Sequence, residues 1–214
     1  MNTYVAFGIL GIISNFAAAW ADVPLVKPGK TNPNEGLSLN DVNPWWADVT
    51  SKQFKVSFWL SFLGQPGSYI TMWLLANLIS QGNEALALAL KINTFIGCYT
   101  GLLCHVVFCM KPLLYQKLHK KMSDNESLEV IKSINPVVNA PMIIGFLALW
   151  LGATIIVAIA ILTGALVVPK WCLLLNPVVS LLVLMPLKKC GVKIIGALGV
   201  GYMLFSVLLI IAGI

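Results

Sequence analysis

Long apolar blocks alternate with short polar stretches along the whole chain. Each block is close to the ~20 residues that an α-helix needs to cross the hydrocarbon core of a bilayer. The spacing therefore predicts an all-α transmembrane bundle in one domain, with about six spans, at residues 4–21, 55–79, 86–110, 137–162, 171–187 and 194–214.

The composition agrees with a membrane protein and argues against a soluble one. Of the 214 residues, 58% are hydrophobic and only 10% are charged, whereas a soluble domain carries about 25% charged residues. The 14 basic residues are all Lys. Because bidentate recognition of phosphates is arginine chemistry, we expect no nucleic-acid partner, and we interpret the lysines as topology signals and contacts to membrane lipids.

The lysines also predict the orientation. All of them except Lys91 and Lys170 fall in the polar stretches 22–54, 111–136 and 188–193 or at their edges. Cytoplasmic loops carry the excess of lysine, so these three stretches are predicted to be cytoplasmic loops. Both termini would then lie on the non-cytoplasmic side of a multi-pass protein of the cytoplasmic membrane.

The polar stretch 111–136 contains its own helix signal. Ser123 and Glu126 form a capping-box pattern, which predicts a short helix through Ile134. This stretch is either a solvated connector or a surface for a protein partner. The five cysteines include no CxxC pair, so neither a metal site nor a bound cofactor is predicted.

Polar and small residues recur at helical spacing inside the predicted spans, where they indicate the faces that turn inward. The first span contains Gly8, Gly11, Asn15, Ala18 and Asp22; the second Ser57, Ser61, Gln65 and Ser68; the third Lys91, Thr94, Cys98, Gly101 and His105; the sixth Gly196, Gly199 and Ser206. Glycine and serine stripes are typical of close packing. Ionisable groups in a span are costly and usually have a partner or a function.

Asp22 and His105 are the candidate catalytic residues. Both are predicted near the cytoplasmic end of their spans, since His105 precedes Lys111 by six residues, or about 9 Å of helix. A carboxylate beside an imidazole can serve as a general acid–base pair. Asn139, Trp45 and Trp46 are candidate ligand-binding residues if they approach from the same side.

A second pattern indicates transport instead. Gln65 precedes Pro66 and is followed by Ser68, and Asn176 precedes Pro177 in the other half of the chain. Paired interruptions in two inverted halves are the sequence signature of a transporter site. Gln65, Ser68 and Asn176 are therefore further candidate ligand-binding residues.

Several of these features together resemble an uncharacterised family of small bacterial membrane proteins. They are Asp22 at the end of the first span, the Gln65–Pro66 interruption, His105, and the motif Pro169-Lys170-Trp171 followed by Asn176-Pro177. The family is a domain of unknown function that covers nearly the whole chain. The resemblance implies a bacterial cytoplasmic membrane and a six-helix fold, and it implies no chemistry.

The sequence thus predicts a bundle with a polar cavity that binds a lipid or small amphiphile. Three alternatives stay open at this point: an enzyme that uses Asp22 and His105, a transporter built around Gln65 and Asn176, and a structural subunit that works through residues 111–135. The ligand's identity and the oligomeric state are open as well.

Overall fold

A computed structural model of the chain describes residues 2–26, 44–189 and 196–214. Within these ranges all regular structure is helical, which confirms the predicted all-α class. The α-helices are α1 (Thr3–Val26), α2 (Ser51–Ser80), α3 (Glu84–Leu118), α4 (Asp124–Lys132), α5 (Asn135–Phe146), α6 (Ala153–Leu162), α7 (Pro177–Lys189) and α8 (Ala197–Ala212). Two 3₁₀ turns, Pro44–Asp48 and Lys170–Leu174, lie between them. Lys27, Lys30, Cys190 and Lys193, with most of the predicted loops 22–54 and 188–193, lie outside the described residues.

Helix α1 packs between α2 and α8, and glycines bring the three helices into close contact. A Cβ atom at Gly64 of α2 would lie 2.6 Å from the carbonyl oxygen of Ser14. One at Gly199 of α8 would lie 2.6 Å from the amide nitrogen of Ala19. Such distances are shorter than van der Waals contact, so only glycine permits this approach of the backbones.

Helix α3 is longer than the predicted span 86–110. It continues through Lys111 and Pro112 and ends at Leu118, so the first eight residues of the predicted loop 111–136 are helical. Proline removes only its own N–H, and one missing hydrogen bond does not end a helix that packs along its length. Helix α4 then begins with the predicted capping box, because Ser123 and Glu126 each bond the other's backbone N–H.

Helices α5 and α6 are joined by a π-helical segment, Leu147–Gly152. Asn93 of α3 faces this segment and its side-chain amide donates to the Ala148 carbonyl at 2.9 Å. A methyl group at Gly152 would lie 2.2 Å from Oδ1 of Asn93. The Asn93 side chain therefore satisfies the Ala148 carbonyl. It also leaves room only for a glycine at position 152, where α3 meets the π-helical segment.

The outer surface of the bundle is apolar. Leu63, Tyr99 and Leu182 are each about two-thirds exposed, which is unusual for soluble proteins when many such residues adjoin. Three helical stretches of the described chain are long and apolar enough to cross a membrane: Thr3–Leu25, Glu84–Leu118 and Asn135–Leu162. Pro177–Pro186 and Ala197–Ala212 are apolar but shorter.

Candidate functional site

Asp22 and His105 are neighbours. Asp22 lies near the end of α1, His105 lies in α3, and Oδ1 of the carboxylate is 3.7 Å from Nδ1 of the ring. The His105 side chain is only 13% exposed, whereas that of Asp22 is 51% exposed. The separation is an ion-pair distance that slightly exceeds hydrogen-bond length, and it leaves no room for another atom between the two side chains. A ligand would have to reach them from the exposed side of the carboxylate.

Ser57 of α2 holds the other nitrogen of the His105 ring. Its hydroxyl oxygen lies 3.2 Å from Nε2 of His105 and donates to the Ala21 carbonyl at 2.7 Å. The thiol of Cys109, one helical turn after His105, donates to the same hydroxyl at 3.4 Å. Ser57 is fully buried, so it serves to orient the imidazole and has no access to a substrate.

These contacts determine where protons can move. The single hydroxyl hydrogen of Ser57 is used by the Ala21 carbonyl, so we infer that Nε2 of His105 carries a hydrogen and donates it to Ser57. Nδ1 is then the ring nitrogen that can gain or lose a proton, and it is the nitrogen that faces Asp22. The arrangement can exchange one proton between Nδ1, the carboxylate and a bound group.

Two other segments adjoin this pair. Gly196 donates its backbone N–H to the Ala19 carbonyl at 2.8 Å, and a Cβ atom on Gly196 would lie 2.3 Å from Oδ2 of Asp22. Trp45 and Trp46 are buried in an apolar cluster that includes Leu25 and Cys109. The tryptophans therefore share a cluster with residues about one helical turn from Asp22 and His105.

Trp46 is held in place by α3. Its ring meets that of Tyr115 edge to face at 6.2 Å, and Gln116 donates to the Trp46 carbonyl at 2.7 Å. The indole N–H of Trp45 is buried and has no hydrogen-bond partner among the described residues. The indole N–H of Trp45 is thus a buried donor that a ligand or water could satisfy.

Ser68 belongs to a second buried polar cluster, nearer the middle of the bundle. Its hydroxyl donates to Oδ1 of Asn15, and the amide of Asn15 lies 3.2 Å from the Ser206 hydroxyl. Thr71 contacts the same Ser206 hydroxyl at 3.2 Å. All four side chains are buried and satisfy one another, so this cluster joins α1, α2 and α8. Asn15 was visible in the polar stripe of the first span but was not predicted as a site residue.

The remaining candidates lie elsewhere. Gln65 donates to the Cys98 carbonyl at 3.4 Å. Asn176 caps α7, since Val179 N–H donates to its Oδ1 at 3.0 Å and its own amide donates to the Leu173 carbonyl. Asn139 is half-buried on α5, and within the described residues no hydrogen bond joins it to Asp22 or His105.

Pro66 and Pro177 are not equivalent in the fold. Pro66 lies inside the continuous helix α2, whereas Pro177 is the first residue of α7. The two prolines therefore do not form a matched pair of helix interruptions. The described residues also contain no group of three His, Cys, Asp or Glu side chains that could hold a metal ion.

The chain was compared with known proteins. The family of unknown function DUF6796 matches it over residues 1–214, and the chain belongs to this family. No significant match was found among the curated proteins or the solved structures.

Proposed function

We propose that this member of a family of unknown function is a multi-pass membrane protein that binds a lipid or small amphiphile and acts on it with Asp22 and His105 as an acid–base pair. The observation that carries the proposal is the convergence of Asp22, His105 and Ser57 from three different helices. Ionisable side chains are costly between apolar helices, so their convergence is better explained by a function than by packing.

The proposed location is the cytoplasmic membrane of a bacterium, with six spans and both termini on the non-cytoplasmic side. Three long apolar helical stretches and the exposed apolar side chains support a membrane location. The distribution of lysines supports the orientation.

The proposed proton transfer follows from which nitrogen of the His105 ring faces Ser57 and which faces Asp22. Ser57 fixes the ring of His105 through Nε2, which leaves Nδ1 directed at Asp22. A hydroxyl, amine or acidic group of a ligand that reaches Nδ1 from the exposed side of the carboxylate could donate a proton to His105 or accept one from it. The half-exposed carboxylate of Asp22 gives such a group access.

Transport is less well supported. The amide of Asn176 is used locally to cap α7, and Pro66 and Pro177 occupy different positions in their helices. The third alternative, a subunit that works through residues 111–135, gives no reason for an aspartate and a histidine to meet inside the bundle.

A double-mutant cycle tests the pairing of Asp22 with His105. Asp22→Asn, His105→Gln and the double variant are compared with the wild type by thermal unfolding in detergent. For groups in contact inside the bundle we expect a coupling energy of about 0.5–3 kcal/mol.

The chain supplies its own control, because His119 and Asp124 form a second histidine–aspartate contact on the exposed surface. Asp124→Asn and His119→Gln should couple by less than about 0.5 kcal/mol. Strict additivity of Asp22→Asn and His105→Gln would remove the acid–base proposal.

A further inference from the structure

A groove of about 540 Å³ lies between the start of α2, the end of α3 and the residue that precedes α5. Its volume is within the range of small-ligand sites. The lining residues are Ser51, Lys55, Val107, Met110, Lys111, Leu113, Leu114, Gln116, Lys117 and Ile134. The groove is distinct from the Asp22–His105 pair, because Val107 lies two residues after His105 and so points from nearly the opposite side of α3.

Positive charge is concentrated in this groove. Lys55, Lys111 and Lys117 all line it, and none of the described residues that line it is acidic. Lys55 and Lys117 are exposed at the surface. Three ammonium groups without a carboxylate among the described lining residues favour an anionic ligand.

Lys111 is unusual because it is only 4% exposed. Its ammonium group donates to Oδ1 of Asn135 and lies 5.6 Å from the centre of the Phe108 ring. Neither partner carries a negative charge, and no ion pair to Lys111 is present within the described residues. A buried ammonium that contacts only neutral groups is stabilised further when an anion binds beside it.

The groove also has an apolar end. Val107 and Met110 lie further into the helical bundle than Lys117, which follows Val107 by ten residues, or about 15 Å of α3. Met110 and Leu114 are partly exposed along the same helix. Lysines at one end and apolar side chains along α3 match a molecule with an anionic head and an acyl chain.

We infer that this groove binds an anionic phospholipid of the surrounding membrane, with its phosphate among Lys55, Lys111 and Lys117 and its acyl chain along Val107 and Met110. The inference rests on the proposed membrane location but not on the acid–base chemistry. It adds a lipid site that is separate from the Asp22–His105 pair, and it defines the class of headgroup bound there.

Phosphatidylglycerol binding to the purified full-length protein in detergent tests the inference, with native mass spectrometry as the readout. The test variant is the double substitution Lys55→Gln/Lys117→Gln, which changes two exposed residues and should fold normally. Its matched control is Lys120→Gln/Lys121→Gln, which removes the same charge from exposed residues immediately after α3. A lysine at an anionic membrane surface contributes about fivefold in affinity, so the groove variant should bind about 25-fold more weakly and the control less than about twofold.

Three results would overturn the inference: equal losses in the two double variants, no loss in either, or wild-type protein that binds phosphatidylcholine as tightly as phosphatidylglycerol. Inorganic phosphate that displaces the lipid efficiently would also overturn it, because the acyl chain would then contribute nothing. Lys111→Gln should weaken binding as well.

The proposed function and this inference would be contradicted by different experimental results. Asp22 and His105 do not line the groove, so the preference of the protein for phosphatidylglycerol and its loss in Lys55→Gln/Lys117→Gln are measured with both residues intact. Normal lipid binding together with additive Asp22 and His105 substitutions would contradict only the acid–base proposal. Coupled substitutions without preference for phosphatidylglycerol would contradict only the lipid inference.

Discussion

Gly196, the residue before α8, lies directly against the carboxylate of Asp22 at the end of α1. A Cβ atom at position 196 would come within 2.3 Å of Oδ2 and 3.2 Å of the Ala19 carbonyl oxygen. The glycine therefore sets the position of the carboxylate relative to His105, although it has no side chain of its own.

Gly196→Ala should displace Asp22 or the start of α8. We expect a loss of about 1–3 kcal/mol in the free energy of unfolding, as for other overpacked positions, and a change in the NMR signals of the His105 ring. Gly101→Ala is the control, because its Cβ would lie 3.1 Å from a rotatable methyl group of Leu149. A His105 signal that is unchanged in Gly196→Ala would show that the glycine does not position the carboxylate.

Asn15→Ala tests the second polar cluster. The substitution leaves the buried hydroxyls of Ser68 and Ser206 without the partner that joins them. We expect thermal unfolding in detergent to report a loss of about 1–2 kcal/mol, since the buried Ser68 hydroxyl loses its acceptor, whereas Ser206 keeps its bond to the Tyr202 carbonyl. Asn125→Ala, at an exposed position of α4, should change stability by less than about 0.5 kcal/mol. Equal effects of the two substitutions would contradict the role assigned to Asn15.

The start of α4 should depend on pH. Hydrogen bonds from the Ser123 hydroxyl and backbone lower the pKa of Glu126 below its ordinary value. A lowered folded-state pKa means that this stabilisation is present above the unfolded-state pKa and is lost as the pH falls through the folded value.

Hydrogen exchange of the α4 amides should therefore report a stable cap at neutral pH and a weakened one in acid, after correction for the intrinsic exchange rate. Ser123→Ala should raise the exchange rate about fivefold at neutral pH, as for loss of one helix cap, and should reduce the pH dependence. Ser133→Ala, at the other end of α4, is the control and should leave the pH dependence intact. A pH dependence unaffected by Ser123→Ala would contradict this account of the cap.

The orientation of the chain can be tested with single cysteines. Asn125 and Gln81 are both exposed and lie in segments predicted on opposite sides of the membrane. In intact cells, an impermeant thiol reagent should label Gln81→Cys and leave Asn125→Cys unlabelled until the cells are broken. The wild-type protein controls for background labelling: Cys98, Cys104, Cys109 and Cys172 are buried, and Cys190 lies outside the described residues. Labelling of Asn125→Cys but not of Gln81→Cys in intact cells would contradict the proposed topology.

Much of the site could be predicted from position along the helices. The helical rise alone indicated that Asp22 and His105 could lie at the same depth, and the structure brings them within 3.7 Å. Ser57 was also part of a predicted polar stripe, but its contact with Nε2 depends on how α2 is rotated against α3. Packing determines that rotation: the close approach of Gly64 to Ser14 fixes α2 against α1 and thereby decides which face of α2 meets α3. Hydrophobic periodicity does not encode this choice.

Helix ends and helix caps depend on local contacts that the sequence pattern does not contain. The third span was predicted to end at residue 110, yet α3 continues to Leu118 because Tyr115 packs with Trp46 in a buried cluster. Asn176 was predicted as a ligand-binding residue, and the structure shows that it also caps α7, as a short polar side chain before Pro177 can. Whether a helix ends or continues at Pro112, and whether Asn176 caps a helix or contacts a ligand, depends on tertiary contacts. A single sequence does not specify those contacts.

The protonation of the His105 ring tests the central claim most directly. In ¹⁵N-histidine NMR of the solubilised protein, we predict that Nε2 stays protonated throughout a pH titration and that Nδ1 alone gains or loses a proton. Ser57→Ala should remove this preference, and Asp22→Asn should shift the titration of Nδ1. His119 in the same sample serves as the exposed reference. A neutral His105 that is protonated only at Nδ1, or a titration that Asp22→Asn leaves unchanged, would contradict the proposed acid–base pair.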